Sequence, residues 1–291
     1  ITPEGIQKNL KSVKPLDAIC EYIWNGFDAE ATEVSVVLHE NDFGLINMIT
    51  VSDNGVGIDF NELKIKFQPF NDSKKADMLG KNNHSLPHGR KGIGRLTFFA
   101  FSQTARWDTV YEHDGKRSGY FISLNKDSLN QYNDNDEKQP HETKGNTGTK
   151  VTFTQLESLD KKEIVQKIKE EFFWFLELNK ENGYRILVDN ECIDYSDFII
   201  AKENIEASGS EIRHNDDIHL VQWIVKLGNK YSMIYYIGYV NKEVDKETTK
   251  VNKRADQFFH SVYIKSDYFD KFHFANTEIE GQRDIFPNRS E

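Results

Sequence analysis

Apolar and polar positions along this chain follow two different periods. In residues 15–29, Leu16, Ile19, Cys20, Ile23, Trp24 and Phe27 recur at the spacing of one helix face, and Pro15 sits in the first turn, where a helix tolerates it. That spacing predicts an amphipathic helix. Residues 33–39 are rich in Val and bounded by polar positions, and 46–51 repeat the character before the turn-like Asp53-Asn54-Gly55. Two neighbouring strands are expected there, and residues 106–124 and 149–154 alternate in the same way. Residues 130–146, which separate them, are too polar to carry a core and read as a surface excursion. A charged helix over 160–178, with apolar Ile164, Val165, Ile168, Phe172 and Phe175, leads into a strand at 184–188. From about residue 59 to 88 periodicity disappears, a mobile loop that feeds an apolar, helix-compatible stretch at 92–101. Beyond about residue 200 a second pattern begins, with strands near 217–227, 230–240 and 258–264.

At 291 residues the chain is long for one core, so a domain over 1–200 followed by part of another over 201–291 is expected. A formal net charge of −10 does not support a whole-surface attraction to nucleic acid or anionic lipid. The two cysteines, Cys20 and Cys192, lie far apart without metal-ligand spacing. A reducing, cytoplasmic setting is therefore expected. The nine histidines, His84 and His88 among them, show no metal spacing either. No apolar run reaches the ~18 residues of a membrane span, and a start at Ile1 suggests a portion of a longer protein.

Three polar constellations change the picture. Glu21, Asn25 and Asp28 stand at i, i+4 and i+7, within roughly 60° of one another around the helix. A carboxylate and a carboxamide one turn apart suit a water-activating base beside a Mg²⁺ ligand, although a solvated helix face gives the same pattern. Asp53-Asn54-Gly55-Val56-Gly57 follows an apolar strand, and its glycines permit either an ordinary turn or close approach by a ligand. Gly89-Arg90-Lys91-Gly92-Ile93-Gly94-Arg95 precedes an apolar stretch, so its backbone N–H groups suit a phosphate. Neither a P-loop nor a GxGxxG fingerprint occurs.

In that order, these pieces resemble the motifs of the GHKL ATPases, the class of gyrase, heat-shock chaperones, histidine kinases and MutL. The resemblance covers about residues 15–190 and is nearest to chaperone-like, MutL-like and microrchidia-like prokaryotic members. It implies the Bergerat fold: an α+β two-layer sandwich with helices on one face of a mixed, mainly antiparallel sheet, followed by part of an α/β transducer-like domain. Glu21 would activate water, Asn25 would hold Mg²⁺ and Asp28 would complete the first motif, with Gly26 keeping the position after Asn25 small. Asp53 would accept from the adenine amino group, with Gly55 and Gly57 in its turn and Thr149 in support. Ser73 and Lys74 resemble a stretch that precedes the lid, and Gly89, Arg90, Lys91, Gly92, Ile93, Gly94 and Arg95 its phosphate-cradling hinge, placing a lid at about 60–95. Arg289, with Arg283 second, resembles an arginine carried to the γ-phosphate. The resemblance thus implies ATP and ADP as ligands, Mg²⁺ as cofactor, hydrolysis coupled to lid closure, and a nucleotide-dependent homodimer. A clamp that binds ATP without useful turnover and a histidine-kinase-type catalytic domain are the alternatives.

Overall fold

The computed structural model describes residues 13–63, 94–126, 139–205, 217–224, 232–238, 243–251 and 258–271. Pro15–Asp28 form helix α1, followed by strands β1 (Glu33–Glu40) and β2 (Ile46–Asp53). After a 3₁₀ turn at Phe60–Glu62 and a longer one at Gly94–Ala100 come β3 (Ser102–His113), β4 (Lys116–Asn125), β5 (His141–Glu142) and β6 (Gly148–Leu156). Helix α2 (Lys161–Leu178) leads to β7 (Arg185–Val188) and β8 (Glu191–Cys192).

These strands form one eight-stranded sheet in the order β5-β4-β3-β6-β2-β1-β7-β8. Every pairing is antiparallel except β1 with β7. The period of two along each strand sends alternate side chains to one face. Register then aligns Trp107, Val151, Val51, Val36 and Val188 in one buried row across five strands. Two residues along, the same face carries Thr109, Thr149, Asp53 and Val34. The apolar core thus gives way to a polar row at its edge. The opposite face bears Arg106 and Lys150, both exposed. Helices on one face of a mixed, mainly antiparallel sheet make this an α+β sandwich.

Helix α1 is buried over more of its circumference than an amphipathic pattern predicts, because it is covered on two sides. Trp24 and Phe27 pack against Phe172 and Phe175 of α2, and Trp24 also lies near Trp174. Tyr22, on the other flank, meets Phe153 of the sheet at 4.6 Å between ring centroids. A fully buried Phe such as Phe172 contributes about 1.5–3 kcal/mol. Only Asp17, Asn25 and Asp28, with half-buried Glu21 between them, form an open polar stripe. Helix α2 is capped by Asp160, whose carboxylate accepts from the Glu163 amide at 3.0 Å.

The stretch expected to be helical over 92–101 is instead a 3₁₀ segment, Gly94–Ala100, where it is described. It is seven residues long, is separated from β3 by Phe101, and is fixed by bonds from outside, including the Tyr22 phenol. A short, side-chain-anchored stretch of this kind favours the tighter turn.

The chain divides into two compact units, Ile1–Phe198 and Ile199–Glu291. The second contains β9 (Ile199–Ile205), β10 (Asp217–Trp223), β11 (Met233–Ile237), β12 (Glu243–Thr248) and β13 (Phe259–Lys265). They form a five-stranded sheet in the order β12-β11-β13-β10-β9, with β11 and β13 parallel. Trp223 and Tyr235 are its largest fully buried side chains, and the Trp223 indole donates to Ser261 Oγ at 2.9 Å. The described part of this unit holds strands and one 3₁₀ segment, Asp267–Lys271, but no α-helix. Strands β9 and β12 escape the sequence pattern because each is a charged edge strand without apolar alternation.

Candidate functional site

Asp53 ends β2 on the inner face of the sheet, where a carboxylate must be satisfied. Its Oδ1 accepts from the Gly55 amide at 2.9 Å and the Thr149 amide at 3.2 Å. Both bonds fall on one oxygen, so the carboxylate is oriented, and among the described residues Oδ2 takes no donor. Burial pushes the Asp53 carboxyl up to about 6, while the two amides oppose that rise.

The turn after Asp53 is fixed from both sides. Asn54 Oδ1 accepts from the Thr32 and Glu33 amides, tying the turn to the start of β1. The Val56 amide donates to the carbonyl of Ala29 at the end of α1. Gly57 has φ +75°, and a Cβ there would stand 2.0 Å from the Val110 carbonyl oxygen, so only glycine fits. A Cβ on Gly26 would lie 3.0 Å from Asp53 Cβ, which shows how closely α1 passes over the Asp53 side chain.

Thr109 binds this corner together and is a residue that motif reading misses. Its Oγ1 accepts from the Ile58 amide at 2.9 Å and lies 3.2 Å from the Gly148 carbonyl and 3.1 Å from Thr149 Oγ1. One buried hydroxyl therefore joins the glycine turn to the strand that supports Asp53. Its signal in the sequence is faint: a lone Thr among inward-facing Ala105, Trp107 and Tyr111.

At the other end of the site, Glu21 is half-buried and Asn25 is exposed one turn further along α1. A Cβ on Gly94 would lie 3.2 Å from Glu21 Oε2 and 3.7 Å from Asn25 Oδ1, so the first residue of the 3₁₀ segment sits on this pair. Burial raises the proton affinity of Glu21, reinforced by the negative charges of Glu171 and Asp17. Lys167 of α2 pairs with both acids, at 2.5 Å from Asp17 and 3.6 Å from Glu171. Arg95 is pushed down to about 10 by burial, partly offset by Tyr22.

The structure thus gathers Glu21, Asn25, Gly94 and Arg95 at one end and Asp53, Gly55, Gly57 and Thr149 at the other, with α1 carrying Glu21 and Asn25 and passing over Asp53. Asp28 is exposed at the C-terminal end of α1. Ser73, Lys74, Gly89, Arg90, Lys91, Gly92, Ile93, Arg283 and Arg289 lie outside the described residues.

Residues 13–162 match the sequence family described as histidine kinase-, DNA gyrase B-, and HSP90-like ATPase. The chain belongs to this family, the GHKL ATPases. It is similar to a putative type II restriction enzyme, HgiDII, of Herpetosiphon aurantiacus, with 30% identity over 120 residues. That alignment covers 41% of this chain but 17% of the relative, so the chain spans a small part of that protein's length. Among solved structures it is similar to the Aquifex aeolicus MutL ATPase domain complexed with ADP: 13% identity, TM-score 0.43, 88% of this chain and 94% of that one. The ATPase region of Saccharomyces cerevisiae topoisomerase II is similar at 14% identity and TM-score 0.45, covering 86% of this chain and 72% of that one. Among the described residues no helix is long and apolar enough to cross a membrane.

Proposed function

We propose that the first unit binds ATP with Mg²⁺, hydrolyses it, and couples the bound state to lid closure and dimerisation of a larger protein. The observation that carries this reading is Asp53, a half-buried carboxylate aimed by two backbone amides on one oxygen, with no donor to the other among the described residues. That oxygen accepts from the exocyclic amine of adenine and repels the carbonyl that guanine presents there. The turn that follows Asp53 is packed at Gly57 against the Val110 carbonyl.

At the other end Glu21 orients and deprotonates the attacking water. A general base works best when its proton affinity is lifted towards the working pH, and burial with two acidic neighbours lifts that of Glu21. Asn25 Oδ1 is a hard, exposed oxygen, which fits Mg²⁺, an ion that accepts one or two protein oxygens and completes its shell with phosphate and water. When bound, Mg²⁺ supplies neutralisation of phosphate charge. Gly94 and Arg95, beside Glu21 and Asn25, are where the lid hinge joins the site. In this reading the lid is the stretch at about 60–95, most of which lies outside the described residues.

The test is phosphate release by the purified chain at saturating MgATP, together with calorimetric titration of ATP and GTP. Multiple turnovers and a preference for ATP are expected. Binding without turnover would leave a nucleotide-gated clamp, and equal affinity for the two nucleotides would remove Asp53 as the adenine acceptor.

A further inference from the structure

A tyrosine inside a protein needs partners for its hydroxyl, because a buried polar group without them is costly. Tyr22 is 3% exposed, adjacent to Glu21 on α1, and its ring is wedged against Phe153, Trp107 and Phe101. Its hydroxyl leaves its own helix for the backbone of the Gly94–Ala100 segment. It donates to the Arg95 carbonyl at 2.8 Å and accepts from the Phe98 amide at 3.1 Å. Those two groups are the acceptor and donor of a single i to i+3 turn. The phenol therefore engages one turn of the segment at both its polar groups.

The same segment begins at Gly94, which rests on Glu21 and Asn25. Thr97 Oγ1 donates to the Gly94 carbonyl at 2.7 Å, so the turn held by Tyr22 is bonded directly to the residue over the polar pair. A continuous set of contacts runs from the sheet, through the Tyr22 ring and hydroxyl, to the backbone beside Glu21. Burial raises the phenol far above its ordinary value, so the donor persists at every working pH.

We infer that Tyr22 is a positioning residue for the reacting end of the site: its hydroxyl fixes the Gly94–Arg95 backbone against Glu21 and Asn25, and it has no part in holding the base. This rests on the proposed ATPase reading for its kinetic consequence but not for its structural one. Asp53 lies in a separate hydrogen-bonded corner built from Gly55, Thr149 and Thr109, so losing the phenol oxygen should separate turnover from adenine binding.

The experiment is Tyr22→Phe in the full 291-residue chain, with Val188→Ala, a buried β7 substitution far from the segment, as a control for general destabilisation. Hydrogen exchange of the Phe98 amide without nucleotide should accelerate roughly three- to tenfold in Tyr22→Phe, the scale of one lost hydrogen bond, and stay unchanged in Val188→Ala. The kcat for ATP should fall by a similar factor in Tyr22→Phe, while its affinity for ADP changes less than about twofold. Unchanged Phe98 exchange would overturn the tether, as would equal losses of kcat in the two variants or parallel loss of ADP affinity. If the wild-type chain shows no turnover, the ATPase reading fails, and the exchange measurement still decides whether Tyr22 fixes the segment.

Discussion

Asp53 and Glu21 are two partly buried carboxylates, one beneath helix α1 and one on it, and burial raises the proton affinity of both. Their surroundings then diverge. Two backbone amides hold Asp53 Oδ1 and oppose the rise, so its geometry is fixed and its ionised form is supported. Around Glu21 the neighbours are Glu171 and Asp17, which add to the rise, and among the described residues no hydrogen bond anchors its carboxylate. An oriented acceptor suits recognition, whereas a loosely held group with lifted proton affinity suits proton transfer. In the proposed reading, the same residue chemistry is divided into two tasks by what surrounds it.

The strongest way to break this division is at Glu21. Glu21→Ala should lower steady-state phosphate release by ~10² or more while ATP affinity by calorimetry stays within a few-fold. Undiminished release would assign the base elsewhere. Asp53→Asn is the sharper probe of the other end, because the carboxamide oxygen can still accept from Gly55 and Thr149 while the new amine opposes adenine. ATP affinity should drop roughly ten- to hundredfold, the scale of a charged hydrogen bond lost. The melting temperature at pH 7 should equal or exceed that of wild type, since a buried ionised group has been removed.

The pH dependence follows from the same site. With the Asp53 carboxyl at about 6 when folded and near 3.8 when unfolded, the folded state binds more protons between those values. The stability this group contributes is therefore fully present below about 3.8 and is lost as pH rises through about 6. ATP binding runs the other way and should weaken roughly tenfold for each unit below pH 6, if the ionised acceptor is needed. Titrations of Asp53→Asn should lack that dependence. The smallest effect on nucleotide is expected from Thr109→Val, which leaves the Ile58 amide and the Thr149 hydroxyl without their shared partner. Chemical denaturation should show a cost of about 1–3 kcal/mol, with ATP affinity reduced only a few-fold. No change in either would show that the corner is held without this hydroxyl.

What the sequence discloses tracks how local the cause is. Helix α1, its polar stripe and the strand before Asp53 are legible because periods of 3.6 and 2 are written within a dozen or so neighbouring residues. The role of Thr109 is not, because its partners Thr149 and Gly148 come from a strand paired by register. Tyr22 is hidden for the same reason: Arg95 and Phe98 reach it only through tertiary packing. That packing also turned an apolar, helix-compatible stretch into a 3₁₀ segment. The edge strands β9 and β12 were illegible on other grounds, since an exposed edge needs no apolar alternation.

The aromatic seam between the two helices of the first unit has an optical consequence. Of the four tryptophans in the chain, Trp24 rides on the helix that carries Glu21 and Asn25, and Trp174 faces it from α2 with ring centroids 6.1 Å apart. Indoles this close exchange excitation, and the Trp24 indole also points its N–H at the Glu171 carboxylate, 3.5 Å away. Emission from this pair therefore depends on how α1 sits against α2, while Trp107 in the sheet and Trp223 in the second unit emit from other surroundings. The chain carries its own label at the back of the helix that bears the polar stripe, and a shift of that helix could be followed by light without adding a dye.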